Sequence, residues 1–204
     1  MAPLAIVIPG QWAGATQIDI GQARRLADHG ARGHNRRVAA LCVRIGHQLR
    51  MTAAERRILE RSGLLHDVGK LALPGTVLDK HDALDDSEWN LVRTHPQVGL
   101  RILQWAGTFE RAMLAVLYHH ERMDGTGYPH GLLAEAIPIE ARVVAVADMY
   151  DVLTSDRPYR RARSEREARS VLASEAGPHL DPRLVSALLS ALDEGAPRPA
   201  PGLH

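Results

Sequence analysis

The sequence predicts an all-α fold, and three observations carry that reading. Apolar residues recur at helical spacing in segment after segment, as at Val38, Leu41, Ile45 and Leu49, which gathers them on one helix face. Helix-start residues stand ahead of such segments, as where Thr52 is followed by Glu55 in the capping-box pattern. Alternating apolar and polar runs, the mark of half-buried strands, are nearly absent.

The elements follow in order. The stripe from Val38 to Leu49 predicts a helix over 33–50, and Cys42 beside it reads as a small core residue rather than a nucleophile. A second helix runs from Thr52 to near His66. Further helices are predicted over 86–94, 96–106, 109–121, 138–155, 164–175 and 181–193, the last opened by Asp181 as N-cap and Pro182 as first helical residue. The apolar stretch Leu4 to Ile8 lacks a preceding basic region and is broken by Pro9-Gly10. Residues 1–21 therefore read as a docked arm and not a signal peptide. The Pro- and Gly-rich tail, 194–204, reads as disordered.

The chain has 204 residues, 45% of them hydrophobic, which suits one compact domain and excludes disordered and collagen-like classes. With 25 Lys+Arg against 24 Asp+Glu, it lacks the basic excess of a nucleic-acid polymer binder. The single cysteine excludes an internal disulfide framework and fits a reducing cytoplasm. No apolar run approaches the roughly 18 residues that span a bilayer. Lysine occurs only at 70 and 80, and eleven histidines outnumber the three Trp, four Tyr and one Phe. That histidine surplus is the first functional pointer.

Five of those histidines fall at suggestive places. His34 opens the first long helix, His66-Asp67 closes the second, His95 precedes Pro96, and His119-His120 are adjacent and followed by Glu121. Asp148 lies in the apolar stretch Val143 to Met149, where a carboxylate must be paired, hydrogen-bonded or metal-bound. His34, His66, Asp67, His95, His119, His120 and Asp148 make a set of imidazoles and carboxylates. That mix suits first-row transition metals rather than Mg²⁺ or Ca²⁺. Seven groups exceed one four-coordinate zinc and suit two ions sharing a bridge.

These residues lie in motifs that resemble a known family. His66-Asp67-Val68-Gly69-Lys70 is similar to the HD motif of the HD superfamily of metal-dependent phosphohydrolases. The run from His119 to Pro129 resembles the HHExxDGxGYP signature of its HD-GYP subfamily. Gly33-His34 through Val38, His95 through Gly99, Val146-Ala147-Asp148 through Asp151, Arg157-Pro158-Tyr159 and Leu180 through Val185 match further family motifs. The resemblance covers roughly residues 22–192. It implies an HD-domain helical bundle with additional C-terminal helices, over 22–193.

The resemblance also implies hydrolysis of cyclic di-GMP, a bacterial second messenger, to linear pGpG, with GMP as the product of a second round. A metal-bridging hydroxide would be the nucleophile. His34, His66, Asp67 and Asp148 would bind one metal, and Asp67, His95, His119 and His120 the other, with Asp67 bridging. Iron is the first expectation, with manganese, zinc, cobalt and nickel open. Lys70 and Arg157 would face the substrate phosphate, joined by Arg160, and Tyr128 would shape the pocket from the Gly127-Tyr128-Pro129 loop. Lys70 and Asp67 carry the catalytic roles. Glu121 would either orient His120 or cap a helix end. The remaining histidines, at 29, 47, 81, 130, 179 and 204, read as surface residues. A second reading is an interaction module that contacts diguanylate cyclases (GGDEF proteins) through the GYP loop; a third keeps the enzyme and changes the cyclic dinucleotide.

Two departures from the family pattern matter. Where trinuclear members carry a glutamate, this chain has Gly30, so two metals are expected, not three. The family's IPD…KPG-like stretch is replaced by Leu73-Pro74-Gly75 and Lys80-His81-Asp82, which puts the loop over the site in question. At this length no attached sensory domain is expected.

Overall fold

The computed structural model describes residues 31–80, 82–106, 110–156 and 161–194. The arm at 1–21, the tail beyond 194, Gly30, Arg157 and Arg160 lie outside them. The described chain is a helical bundle: α1 (Ala31–Gln48), α2 (Ala53–Leu65), a 3₁₀ turn (Val68–Ala72), α3 (Gly75–Leu78), α4 (Asp86–Val92), α5 (His95–Ala106), α6 (Glu110–Tyr118), a second 3₁₀ turn (Ala134–Ala136), α7 (Ile139–Thr154), α8 (Glu165–Glu175) and α9 (Pro182–Glu194). Among the described residues, strand-type pairing is confined to two isolated bridges, Asp124 with Leu133 and Ala176 with Leu180.

Local chemistry sets the helix starts. Thr52 with Glu55, Asp85 with Glu88 and Ser164 with Glu167 each form a reciprocal capping box, satisfying backbone N–H groups that the first helical turn leaves unpaired. Asp181 caps α9 by accepting from the Arg183 N–H at 3.0 Å.

The core is built around α7. Val143, Val144, Val146 and Ala147 are fully buried, because α7 packs against α1, α2, α6 and α8. The α1 stripe meets it with Val38, Cys42 and Ile45, and Leu184, Val185 and Leu188 of α9 close the far side. Cys42 is a core residue as expected, and burial pushes its thiol pKa up, which keeps it protonated and unreactive. Close helix approach is bought by glycine. A Cβ on Gly63 of α2 would lie 2.6 Å from the Ala39 Cα of α1.

One helix boundary differs from expectation by more than two residues. The sequence pattern carries a helix through 121, but α6 ends at Tyr118. The chain turns there so that the His120 carbonyl accepts from the Tyr128 N–H at 3.2 Å. The second helix ends at Leu65, with His66 as its C-cap, as expected. Asp67, at φ −97° and ψ 9°, breaks it into the 3₁₀ turn. The departure at 73–82 holds a buried Leu73 and the short α3.

Candidate metal centre

Three helix ends converge, and each presents a histidine beyond its last turn. The His66 Nδ1 donates to the Gly63 carbonyl at 2.8 Å, His95 Nδ1 to Val92 at 2.7 Å and His119 Nδ1 to Val116 at 3.0 Å. The carbonyls of a last helical turn have no intrahelical donor, so each ring supplies one. A carbonyl only accepts, which puts a ring proton on Nδ1 and turns every Nε2 toward a common centre. His34, from the first turns of α1, is held instead by Asp151, whose Oδ2 lies 2.7 Å from Nδ1. Arg37 grips the same carboxylate at 2.5 and 3.0 Å.

Asp67 stands at that centre. Its Oδ1 lies 3.4 Å from His95 Nε2 and 3.9 Å from His119 Nε2. Its Oδ2 lies 3.4 Å from His66 Nε2, 4.0 Å from His34 Nε2 and 2.6 Å from Lys70 Nζ. Asp148 Oδ1 completes the second side, 3.2 Å from His34 Nε2 and 4.0 Å from His66 Nε2. The His120 ring lies 4.1 Å from that of His119 and 5.0 Å from that of His95. Two sets of potential ligand atoms result: Asp67, His95, His119 and His120; and His34, His66 and Asp67. Asp67 is common to both.

The two sides differ electrostatically. Burial lowers the His95 pKa to about 4 against the pull of Asp67. His120 falls to about 3 through burial and the neighbouring His95, and His119 falls well below its ordinary value for the same kinds of reason. These three imidazoles are neutral, the form that ligates metal. On the other side burial also opposes charge, but Asp148 and Asp151 outweigh it and hold His34 up at about 9. Asp67 raises His66 in the same way. Burial would raise Asp67, yet Lys70 and His66 hold it well below the carboxylate range. Asp148 is likewise lowered, burial being outweighed by its bond to His34.

The residues fit a metal. His95 Nε2 and His119 Nε2 face each other at 3.3 Å with both Nδ1 protons committed to carbonyls, so two lone pairs converge. His66 Nε2 and Asp67 Oδ1 are buried with no hydrogen-bond partner. A buried acceptor left unpaired is costly, and a cation shared by these atoms satisfies them all. Neutral imidazoles with carboxylates favour a first-row transition ion over Mg²⁺ or Ca²⁺.

The loop after His120 lies against this centre. The Tyr128 ring stacks on His120 at 4.7 Å and 20°. Gly127 is forced: a Cβ there would fall 2.4 Å from the Arg122 backbone nitrogen. Glu121 neither orients His120 nor caps α6. It is buried, and its carboxylate accepts from the N–H groups of His130 at 2.7 Å and Leu132 at 2.9 Å, fastening the far end of the loop. His179, expected as a surface residue, is half-buried. Its ring is tied to Glu175 and lies 3.5 Å from Asp124, joining the loop to the turn before α9. His47 and His130 are exposed as expected. Lys70 sits on Asp67, at the centre rather than on its rim.

Sequence reasoning missed Asp151 and Arg37 as supports of His34. The signal was present: each lies three residues beyond a site residue, Asp148 and His34, and so on the same helix face. It also passed over Gly69 and Gly99. A Cβ on Gly69 would sit 1.8 Å from the His95 carbonyl oxygen, so the turn carrying Asp67 and the helix carrying His95 touch backbone to backbone.

Comparison with known proteins places this arrangement. The HD domain family model matches residues 22–184. The response regulator RpfG of Xanthomonas campestris, a cyclic di-GMP phosphodiesterase, is 40% identical over 172 residues, covering 83% of this chain and 46% of its own length. A 3′3′-cGAMP-specific phosphodiesterase of Vibrio cholerae is 37% identical over 161 residues, covering 79% of this chain and 35% of that protein. This chain thus spans less than half the length of either relative. An HD-GYP-type protein of Bdellovibrio bacteriovorus has the same fold, with a TM-score of 0.66 at 22% identity over 79% of this chain and 52% of its own. With the family model matched over residues 22–184 and relatives 40% and 37% identical over most of this chain, the chain belongs to the HD domain family, in its HD-GYP branch.

Proposed function

We propose that this chain is a metal-dependent phosphodiesterase that hydrolyses cyclic di-GMP. The observation that carries the reading is the convergence of four imidazole Nε2 atoms on the two oxygens of Asp67, with every Nδ1 already bonded. We assign His34, His66, Asp67 and Asp148 to one divalent ion and Asp67, His95, His119 and His120 to a second. Iron heads the candidates, with manganese, zinc, cobalt and nickel behind it. Bound there, two divalent ions supply a hydroxide-like nucleophile at neutral pH and neutralise phosphate charge.

The protein's own groups do the rest. Asp67 fixes both sets of imidazoles relative to each other. Lys70, 2.6 Å from Asp67, keeps an ammonium beside the position the reacting phosphate must take, where it counters charge growing on the phosphate. Tyr128 walls the site above His120 and limits water access. The same reading assigns Arg157 and Arg160 to phosphate binding. Overall, one water adds across a 3′-O–P bond to give linear pGpG, and a second addition gives GMP.

Purification without oxygen, metal counting and chromatography of cyclic di-GMP test the reading. Loss of cyclic di-GMP with appearance of pGpG is expected under Fe²⁺ or Mn²⁺. A metal-loaded protein that leaves cyclic di-GMP intact would contradict it. The 3′3′-cGAMP-specific relative favours running that cyclic dinucleotide in parallel. Turnover of it alone would keep the chemistry and change the substrate. The reading includes a diguanylate cyclase (GGDEF) partner at the exposed flank of the GYP loop, near His130 and Leu133, which co-purification with such a cyclase tests. It also includes a cytoplasmic setting, supported by the single buried thiol. No helix among the described residues is long and apolar enough to cross a membrane.

A further inference from the structure

Arg93 lies at the edge of this site without a role in the chemistry described above. It follows α4 as its C-cap, two residues before His95, and its side chain is exposed. Its guanidinium carbon stands 5.8 Å from the centroid of the Tyr128 ring, the ring that stacks on His120. Among the described residues no carboxylate lies within ion-pair distance of Arg93, unlike Arg37, Arg111, Arg142, Arg169 and Arg183. A guanidinium resting on an aromatic face keeps its edge N–H groups for a planar anion, and phosphate oxygens match that fork.

Position decides which phosphate. The reacting phosphate must sit where the Nε2 atoms converge on Asp67, and Lys70 already stands there. Among the described residues, the contact of Arg93 with the site is with Tyr128. It is therefore placed for an anionic group that extends beyond the reacting centre. A cyclic dinucleotide carries such a group, its second phosphodiester, and a simple phosphodiester does not. Resting on the reading of the site as a cyclic dinucleotide phosphodiesterase, we propose that Arg93 is a specificity-determining residue that binds the phosphodiester not undergoing cleavage.

The test compares Arg93→Ala and Arg93→Lys with wild type in the full metal-loaded chain. Cyclic di-GMP and bis(p-nitrophenyl) phosphate, which has one phosphodiester, serve as the two substrates. Loss of one charged hydrogen-bonded contact raises KM for cyclic di-GMP about tenfold in Arg93→Ala, with kcat and metal content close to wild type. KM for bis(p-nitrophenyl) phosphate stays within about twofold, and Arg93→Lys recovers part of the loss because charge returns without the fork. Equal KM increases on both substrates would place Arg93 on the reacting phosphate and overturn the proposal, as would no change on either. A wild-type chain that cleaves the simple diester but neither cyclic di-GMP nor 3′3′-cGAMP would defeat the functional reading and this assignment with it. An active wild type with an unaffected Arg93→Ala variant defeats this assignment alone.

Discussion

His95 Nε2 and His119 Nε2 face each other at 3.3 Å, and neither ring has a spare proton to place between them. Both Nδ1 protons go to helix-end carbonyls, and burial keeps both rings neutral. Two lone pairs held this way are placed to meet on one cation. Three helix termini impose the arrangement.

Asp151 positions His34 without belonging to the convergent set. Asp151→Ala removes the acceptor that orients the ring and leaves Arg37 without its carboxylate partner. Loss of such a support lowers metal affinity by about 10- to 100-fold. Metal titration of the variant, with His95 and His119 untouched, should show one weakened site and one near wild type. Equal weakening of both would mean that the two sites are not separable as described.

Glu121 fastens the loop that carries Tyr128. In Glu121→Gln one accepting oxygen becomes an NH₂ group facing a backbone donor, so one buried N–H loses its partner. The cost is about 1–3 kcal/mol, read as a lower urea midpoint with the same slope. Tyr128 fluorescence quenching by solutes should rise as the loop loosens. An unchanged midpoint would contradict the role of the carboxylate.

Much of this fold is legible in the sequence because its cause is local. Capping boxes at Thr52, Asp85 and Ser164 and the stripe through Val38 and Ile45 act within a few residues, so pattern reading places those helices closely. The end of α6 at Tyr118 is not local. It follows from the contact of Tyr128 with His120 and from the loop latch at Glu121, made across the turn. The HD and GYP motifs make the cluster recognisable. Their spacing does not reveal that Nδ1 of three rings bonds a helix-end carbonyl, or that Gly69 and Gly99 let two backbones touch.

Gly69→Ala tests that backbone contact. The added carbon would overlap the His95 carbonyl oxygen at 1.8 Å and the Gly99 nitrogen at 2.6 Å, so the turn and α5 must separate. Overpacking of this kind costs about 1–3 kcal/mol. Metal retention should fall with it, because Asp67 and His95 move apart. A variant as stable and as well loaded as wild type would show that the approach is not needed.

Asp181 supplies a pH-dependent share of stability. Burial alone would raise its pKa, but the bond to Arg183 and the charges of Arg183 and Arg142 hold it below the ordinary value. A depressed folded pKa stabilises the protein above the unfolded value of about 3.9. That contribution is lost as pH falls through the lower folded value. Asp181→Asn leaves Arg142 buried without its carboxylate, a loss of about 3 kcal/mol at pH 7. Urea denaturation of both proteins should show the gap closing as pH falls below about 4. A gap that persists at pH 2 would assign the loss to packing.

The central claim is that Asp67 is shared by two metal sites, and metal counting on Asp67→Ala tests it most directly. Wild type purified without oxygen should hold about two divalent ions per chain. Asp67→Ala should hold almost none while keeping its helical circular dichroism, and Lys70→Ala should keep the metal and lose rate. An Asp67→Ala protein that retains both ions would contradict the account.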